Sequence, residues 1–131
     1  MLIAANAILS TLRLGLLAGV VLIAAVVTAT AQDLMLYMVE QPGCIYCERW
    51  NEEAGDAYHL TAEGRAAPLA RIDIHAPLPE GVTFQRKAVF TPTFVLLRDG
   101  QELSRIEGYP GEGFFWELLG VMLKDAGVTL E

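Results

Sequence analysis

Gln41-Pro42-Gly43-Cys44-Ile45-Tyr46-Cys47 decides how the rest of this chain is read. Before it, Leu34-Met-Leu-Tyr-Met-Val39 is a short apolar run, consistent with a strand buried on both faces. Gln41-Pro42-Gly43 breaks that run. From Cys44 to about Ala57 the pattern is helical: Cys47, Trp50 and Ala54 share one face, while Glu48, Glu52, Glu53 and Asp56 fall largely elsewhere. The first cysteine therefore stands where a strand gives way to a helix. Unpaired N–H groups and the helix dipole favour negative charge there. A thiolate forms at lower pH in such a place than in free cysteine, and the thiolate is the nucleophile. Cys47 lies one turn further in, within bridging distance of Cys44. The expected chemistry is attack by Cys44 on a partner disulfide, then resolution of the mixed disulfide by Cys47.

Other uses of a CxxC pair fit less well. The chain has 2 cysteines in all, and a bridge between them would enclose only Ile45 and Tyr46. Loop-closure stabilisation grows with loop length, so such a bridge would stabilise little. A tetrahedral zinc site wants four ligands. His59 and His75 are the other soft candidates, and neither stands in a ligand-spaced motif. Haem attachment would want His directly after the second cysteine, where Glu48 stands. No metal and no cofactor are expected. A disulfide-forming oxidase or isomerase, a metal- or haem-handling thiol chaperone, and a plain binding module remain the competing readings.

Outward along the chain, Thr61, Gly64 and Pro68 mark a short helical turn capped by Thr61. Leu69 to Ile74 is a second strand, with Ile72 and Ile74 alternating against Arg71 and Asp73. His75 to Gly81 is loop, and Val82 to Val89 is read as a helical turn or short helix. Thr93 to Leu97 is the clearest strand. Asp99-Gly100 signals a tight hairpin, and Glu102 to Glu107 returns antiparallel. Phe114 to Ala126 is a closing helix with an apolar stripe of Phe115, Leu118, Leu119 and Met122, stopped by Gly127. Two strands flanking a helix are parallel by a crossover, and the hairpin supplies an antiparallel half. The expected fold class is α/β: a central mixed sheet of about four strands flanked by helices on both faces. Trp50, Phe94, Phe115 and Trp116 are assigned to the core or its edge, and both histidines to the surface.

Three further features belong to the site. Tyr46 sits between the cysteines and is expected to be exposed to partners. In Thr91-Pro92-Thr93, a proline before a buried strand can enter only at its first position. It is either an ordinary trans strand start or a cis proline beside the cysteine pair, with the backbone before it free to bond an extended partner segment in β-fashion. With a CxxC upstream, cis is the expectation. Gly108-Tyr109-Pro110-Gly111 is either the strand-to-helix turn or part of a partner groove, and the turn is the preferred reading.

The N-terminus is set apart. Arg13 is the one charged side chain of residues 1–31, and from Leu14 to Val27 every residue is apolar or Gly. Ala29 and Ala31 then give the small-x-small exit of a secretory signal peptide, cut after Ala31. An uncleaved membrane anchor is the lesser reading, because that stretch is short of the roughly twenty residues a spanning helix needs. Residues 32–131 would then form one exported domain of 100 residues, with 8 basic and 16 acidic side chains. Such a domain repels phosphate backbones and anionic lipid, which disfavours nucleic acid as a partner.

Taken together, Gln41 to Cys47, Thr61 to Leu69, Phe90-Thr-Pro-Thr-Phe94 and Asp99-Gly100 resemble the thioredoxin superfamily. More narrowly they are similar to the small periplasmic SoxS-type thioredoxins of bacterial sulfur-oxidation clusters. The resemblance covers nearly all of residues 32–131. It implies a thioredoxin fold, with Cys44 as nucleophile, Cys47 as resolving cysteine and Pro92 as cis-proline. It also implies a periplasmic monomer that reduces a disulfide or blocked cysteine on a carrier protein of thiosulfate oxidation. Electrons would come from a membrane thiol transporter. Two departures stand out. Trp is absent before Cys44, and Met38 occupies the place, six residues before Cys44, where thioredoxins carry a buried acid. Glu40 is read as a strand-end surface residue and not as a substitute base.

Overall fold

A computed structural model describes residues 33–131; the segment read as a signal peptide lies outside the described residues. The elements are β1 (Leu34–Glu40), α1 (Ile45–Trp50), β2 (Leu69–Asp73), β3 (Thr93–Arg98), β4 (Gln101–Glu107) and α3 (Glu112–Asp125), with the short α2 (Ala62–Ala66) between α1 and β2. They build one 4-stranded mixed sheet in the order β2-β1-β3-β4, flanked by helices. β1 runs parallel to β2 and antiparallel to β3, and β4 returns antiparallel to β3. The hairpin turn is made by Asp99 and Gly100 at φ 50° and 80°. Both values lie in the left-handed region that a tight turn of matching twist requires.

Pleat and burial agree along β1. Leu36 and Met38 point to the helical face, where they join Trp50, Phe94, Phe115 and Leu119 in the main core. Val39 points to the other face with Val95 and Leu97. Each fully buried side chain of this size contributes roughly 1.5–3 kcal/mol of burial. Aromatic rings dominate the centre. Phe115 lies 4.8 Å from Phe94 and 5.6 Å from Trp50 by ring centroids, the two rings of each pair tilted or edge-on.

The first helix does not stay regular to Ala57. It is α-helical to Trp50, then π-helical from Asn51 to Gly55. The wide turn brings Gly55 against the Trp50 indole, where an added Cβ would stand 2.9 Å from the ring. Thr61 then caps α2, its Oγ1 accepting the Gly64 N–H at 2.9 Å. Gly64 is fixed sterically: a Cβ there would lie 1.9 Å from the Tyr58 carbonyl oxygen. The buried Tyr58 hydroxyl donates to the Ala67 carbonyl at 2.7 Å, which ties this turn to the start of β2.

Three expectations are corrected. Val82 to Val89 forms no helix. Its backbone is bound sideways instead: Thr83 N–H donates to the Gly100 carbonyl at 2.8 Å, and Glu102 N–H donates to the Thr83 carbonyl at 3.1 Å. Gln85 N–H donates to the Glu102 carboxylate at 2.7 Å. Val82 and Phe84, two residues apart, pack on the second sheet face with Ala88. Helices were expected on both faces, but that face is covered by irregular chain, and the helices of the described residues gather on the first. Glu102 is buried, and Arg105 binds both its oxygens at 2.6 and 2.7 Å. Burial alone would raise its pKa, but the bonds from Arg105 and Gln85 outweigh that and hold it below the usual carboxylate value.

The third correction concerns the closing helix. Its buried residues are Phe115, Leu119, Met122 and Leu123, while Leu118 is 43% exposed. At about 100° per residue, Leu118 lies roughly 90° from the middle of that face and Leu123 only about 50°. Gly127 ends the helix at φ 80°. Its N–H donates to the Lys124 carbonyl and that of Val128 to the Leu123 carbonyl, both at 2.9 Å. These are the two bonds of a Schellman ending.

Candidate redox site

The site begins where β1 ends. Gly43 takes φ 72°, which turns the chain at Pro42 and Gly43 and leaves both exposed. Cys44 follows as the N-cap of α1, its backbone extended at φ −81°, ψ 100°. Its Sγ accepts the backbone N–H of Cys47 at 3.1 Å. One of the helix's orphan donors is therefore aimed at the sulfur that the sequence assigns as nucleophile, a placement that favours its thiolate. The two sulfurs are joined, with S–S 2.09 Å. Cys44 is 8% exposed and Cys47 4% exposed, so the pair offers solvent little more than an edge.

Tyr46 projects outward at 55% exposure. It forms one wall of a groove of ≈ 600 Å³. Phe90 and Thr91 form a second wall, and Glu107 to Pro110 a third. Phe90 and its neighbour Val89 are exposed, as is Ile45 next to Cys44. Gln41 and Thr91, 50 positions apart, are joined by a bond of 3.0 Å from Gln41 Nε2 to Thr91 Oγ1. The cysteine turn and the Thr91-Pro92 turn are thereby held side by side. The Thr91–Pro92 peptide bond is cis. Pro92 is buried, and its carbonyl accepts the Gly108 N–H at 2.7 Å.

Sequence reading gave Tyr46, Thr91 and Pro92 a place at the groove; Tyr46 and Thr91 line this one, whereas Pro92 is buried and is not among its lining residues. For Gly108 to Gly111 that reading weighed a turn against part of a partner groove and preferred the turn; Gly108 to Pro110 do lie between β4 and α3, and with Glu107 they also form the third wall. Phe90 and Glu107 were missed as groove residues. Tyr109 is buried and its hydroxyl donates to Glu53 Oε2 at 2.6 Å. Burial, then the neighbouring Glu53 carboxylate, push the Tyr109 hydroxyl well above its ordinary pKa.

Met38 is fully buried. A thioether thus stands where the superfamily has an acid. Arg71 Nη1 approaches its Sδ at 3.5 Å, binds Glu40 Oε2 at 2.7 Å, and its guanidinium lies 5.6 Å from the centre of the Trp50 ring. Glu40 is therefore committed to an ion pair at the strand end. Among the described residues, no group of three or more His, Cys, Asp and Glu is placed to hold a metal ion. No described helix is long and apolar enough to cross a membrane.

Residues 23–122 match the family model of the thioredoxin-like domain. The periplasmic thioredoxin SoxS from Paracoccus pantotrophus, in its reduced form, is 51% identical, with a TM-score of 0.71 over 72% of this chain and 99% of that one. The thioredoxin of Fasciola hepatica is 21% identical, with a TM-score of 0.48 over 70% of this chain and 82% of that one. No curated protein matches the sequence.

Proposed function

The chain belongs to the thioredoxin-like family and is a thiol–disulfide oxidoreductase, and from that premise we propose that it works in the periplasm as a reductant of partner-protein cysteines. The observation that carries the reading is the Cys44 sulfur at a helix start, receiving the Cys47 N–H at 3.1 Å. In the reduced protein, the Cys44 thiolate attacks one sulfur of a partner disulfide or of a blocked partner cysteine. That S–S bond breaks, the leaving sulfur takes a proton, and a mixed disulfide remains on Cys44. Cys47, once deprotonated, attacks Cys44 Sγ and releases the partner thiol. Two electrons have passed to the partner, and the bridged pair is the product. A dithiol donor at the membrane would restore the two thiols. The likeness to the Paracoccus protein supports a periplasmic setting, and the family resemblance of the sequence motifs makes a sulfur-oxidation carrier protein the proposed partner. Residues 1–31 serve as the export signal in this reading, and the domain acts as a monomer.

Trapping tests the reading. Cys47→Ala should leave Cys44 able to attack and unable to be released. Affinity-tagged Cys47→Ala protein expressed in its own periplasm should carry a partner that a thiol reductant frees, and mass spectrometry should place the linkage on Cys44. An empty trap would overturn the claim of a protein substrate.

Direction is tested separately. A reductant should show a reduction potential near the thioredoxin value of about −270 mV, and one near about −120 mV would make it a disulfide-forming oxidant. The potential is read by equilibrating the pair against glutathione or dithiothreitol buffers.

A further inference from the structure

Glu107 of the third wall is held in β4, but the turn that completes that wall, Gly108 to Pro110, has few means of holding its own position. It lies between Gly108 and Gly111, at φ 86° and 105°, and neither glycine would have a contact within 4 Å even with a Cβ. Its start is bonded to the Pro92 carbonyl. Its far end is the Gly111 N-cap of α3, whose carbonyl accepts the Phe115 N–H at 2.9 Å, and between those two ends it is fixed through Tyr109. That ring packs edge-on to Phe115 at 6.2 Å, and its hydroxyl donates to Glu53 Oε2 at 2.6 Å. The other oxygen of Glu53 accepts from Arg49 Nε at 2.9 Å.

Tyr46, Arg49 and Glu53 follow one another along the face of the helix that begins after Cys44, in steps of three and four residues. One helix therefore carries the first wall of the groove and the anchor of the third. The spacing of those walls is referred to the cysteine helix itself.

We propose that Glu53 and Tyr109 form a positioning clasp that holds the third groove wall against the cysteine helix and so sets affinity for an extended, cysteine-bearing peptide segment. The inference rests on the oxidoreductase reading above and adds to it the device that shapes the peptide site. The bond from Tyr109, then that from Arg49, hold the Glu53 carboxyl below its ordinary pKa, so it is the carboxylate that accepts at neutral pH. Neither residue reacts. The clasp should affect how a peptide is held and leave the sulfur chemistry alone.

The probe is a short peptide with one central cysteine, blocked as a mixed disulfide with thionitrobenzoate. The small comparison substrate is 5,5′-dithiobis(2-nitrobenzoate). Glu53→Ala should raise KM for the peptide by about ten- to a hundredfold, the scale of one lost hydrogen bond to a charged acceptor, and leave kcat within about twofold. Glu53→Gln keeps an acceptor oxygen and should fall between Glu53→Ala and wild type. Both Glu53 variants should reduce the small disulfide at the wild-type rate. Tyr109→Phe keeps the ring against Phe115, removes only the donor, and should reproduce the KM shift. An unchanged peptide KM in Glu53→Ala and Tyr109→Phe overturns the clasp. Equal losses on the peptide and on the small disulfide also overturn it, because Glu53 would then act on Cys44 chemistry. Wild-type protein that reduces the small disulfide and not the peptide overturns the underlying reading and the clasp with it.

Discussion

Cys44→Ser should lower turnover of a peptide disulfide by at least about a thousandfold, the scale on which loss of a reacting nucleophile acts. Serine preserves the size of the side chain and the helix cap; indeed it is a favoured capping residue. Folding should therefore survive, and the loss should lie in chemistry alone. A hydroxyl does not ionise near neutral pH and cannot form a disulfide, so the first step vanishes. The control is Cys47→Ser. It keeps the first step, so it should release close to one equivalent of thionitrobenzoate from the blocked peptide and then stop. Cys44→Ser should show no such burst. If Cys44→Ser gave the burst and Cys47→Ser did not, the roles of the two sulfurs would be reversed. If Cys44→Ser kept full turnover, the oxidoreductase reading would fail. Position in the helix favours Cys44 as the attacking sulfur: both cysteines are enclosed, but Cys44 begins the helix and Cys47 lies one turn inside it.

What the sequence discloses is what local chemistry decides. A cysteine followed by a helical pattern, an Asp-Gly pair between two strands, a threonine three residues before Gly64 and a glycine after a helix each act within a few residues. The structure has a local bond or a positive φ at each of them. Val82 to Val89 is different. Val82 and Phe84 alternate as extended chain does, yet the partners that hold the segment, the Gly100 carbonyl and the backbone N–H and carboxylate of Glu102, lie outside it in the β3–β4 hairpin. The Gln41–Thr91 and Glu53–Tyr109 bonds span 50 and 56 positions and leave no periodic mark. Glu53 reads in sequence as one more solvated acid of a helix. Its role depends on a tyrosine that the topology brings back beside the cysteine helix. Met38 is a third kind of case. The sequence shows that the usual acid is replaced, and only the fold shows Arg71 against the Met38 sulfur and bonded to Glu40.

Phe115→Ala should destabilise the protein by about 3–5 kcal/mol, the range for truncating a fully buried phenylalanine. Against a typical total of about 5–15 kcal/mol, that is enough to leave a marginal domain partly unfolded. Phe115 has no exposed surface, and its ring meets those of Phe94, Trp50, Trp116 and Tyr109 at 4.8 to 6.2 Å. Few neighbours can collapse into the space it leaves, because Phe94 is fixed in β3 and Trp50 ends α1. Leu118→Ala is the contrast. It is on the same helix, and simple periodicity would place it on the same stripe, but its exposure limits the expected loss to about 0.5 kcal/mol. Urea unfolding of the oxidised protein separates the two: the midpoint should fall sharply for Phe115→Ala and barely for Leu118→Ala, with m unchanged in both. Equal losses would mean that the helix is seated on Leu118 as much as on Phe115, contrary to the packing. Phe115 also backs the Tyr109 ring, so Phe115→Ala protein that remains folded should bind the blocked peptide more weakly as well. Loss of stability without any loss of peptide affinity would show that the groove wall stands independently of the core behind it.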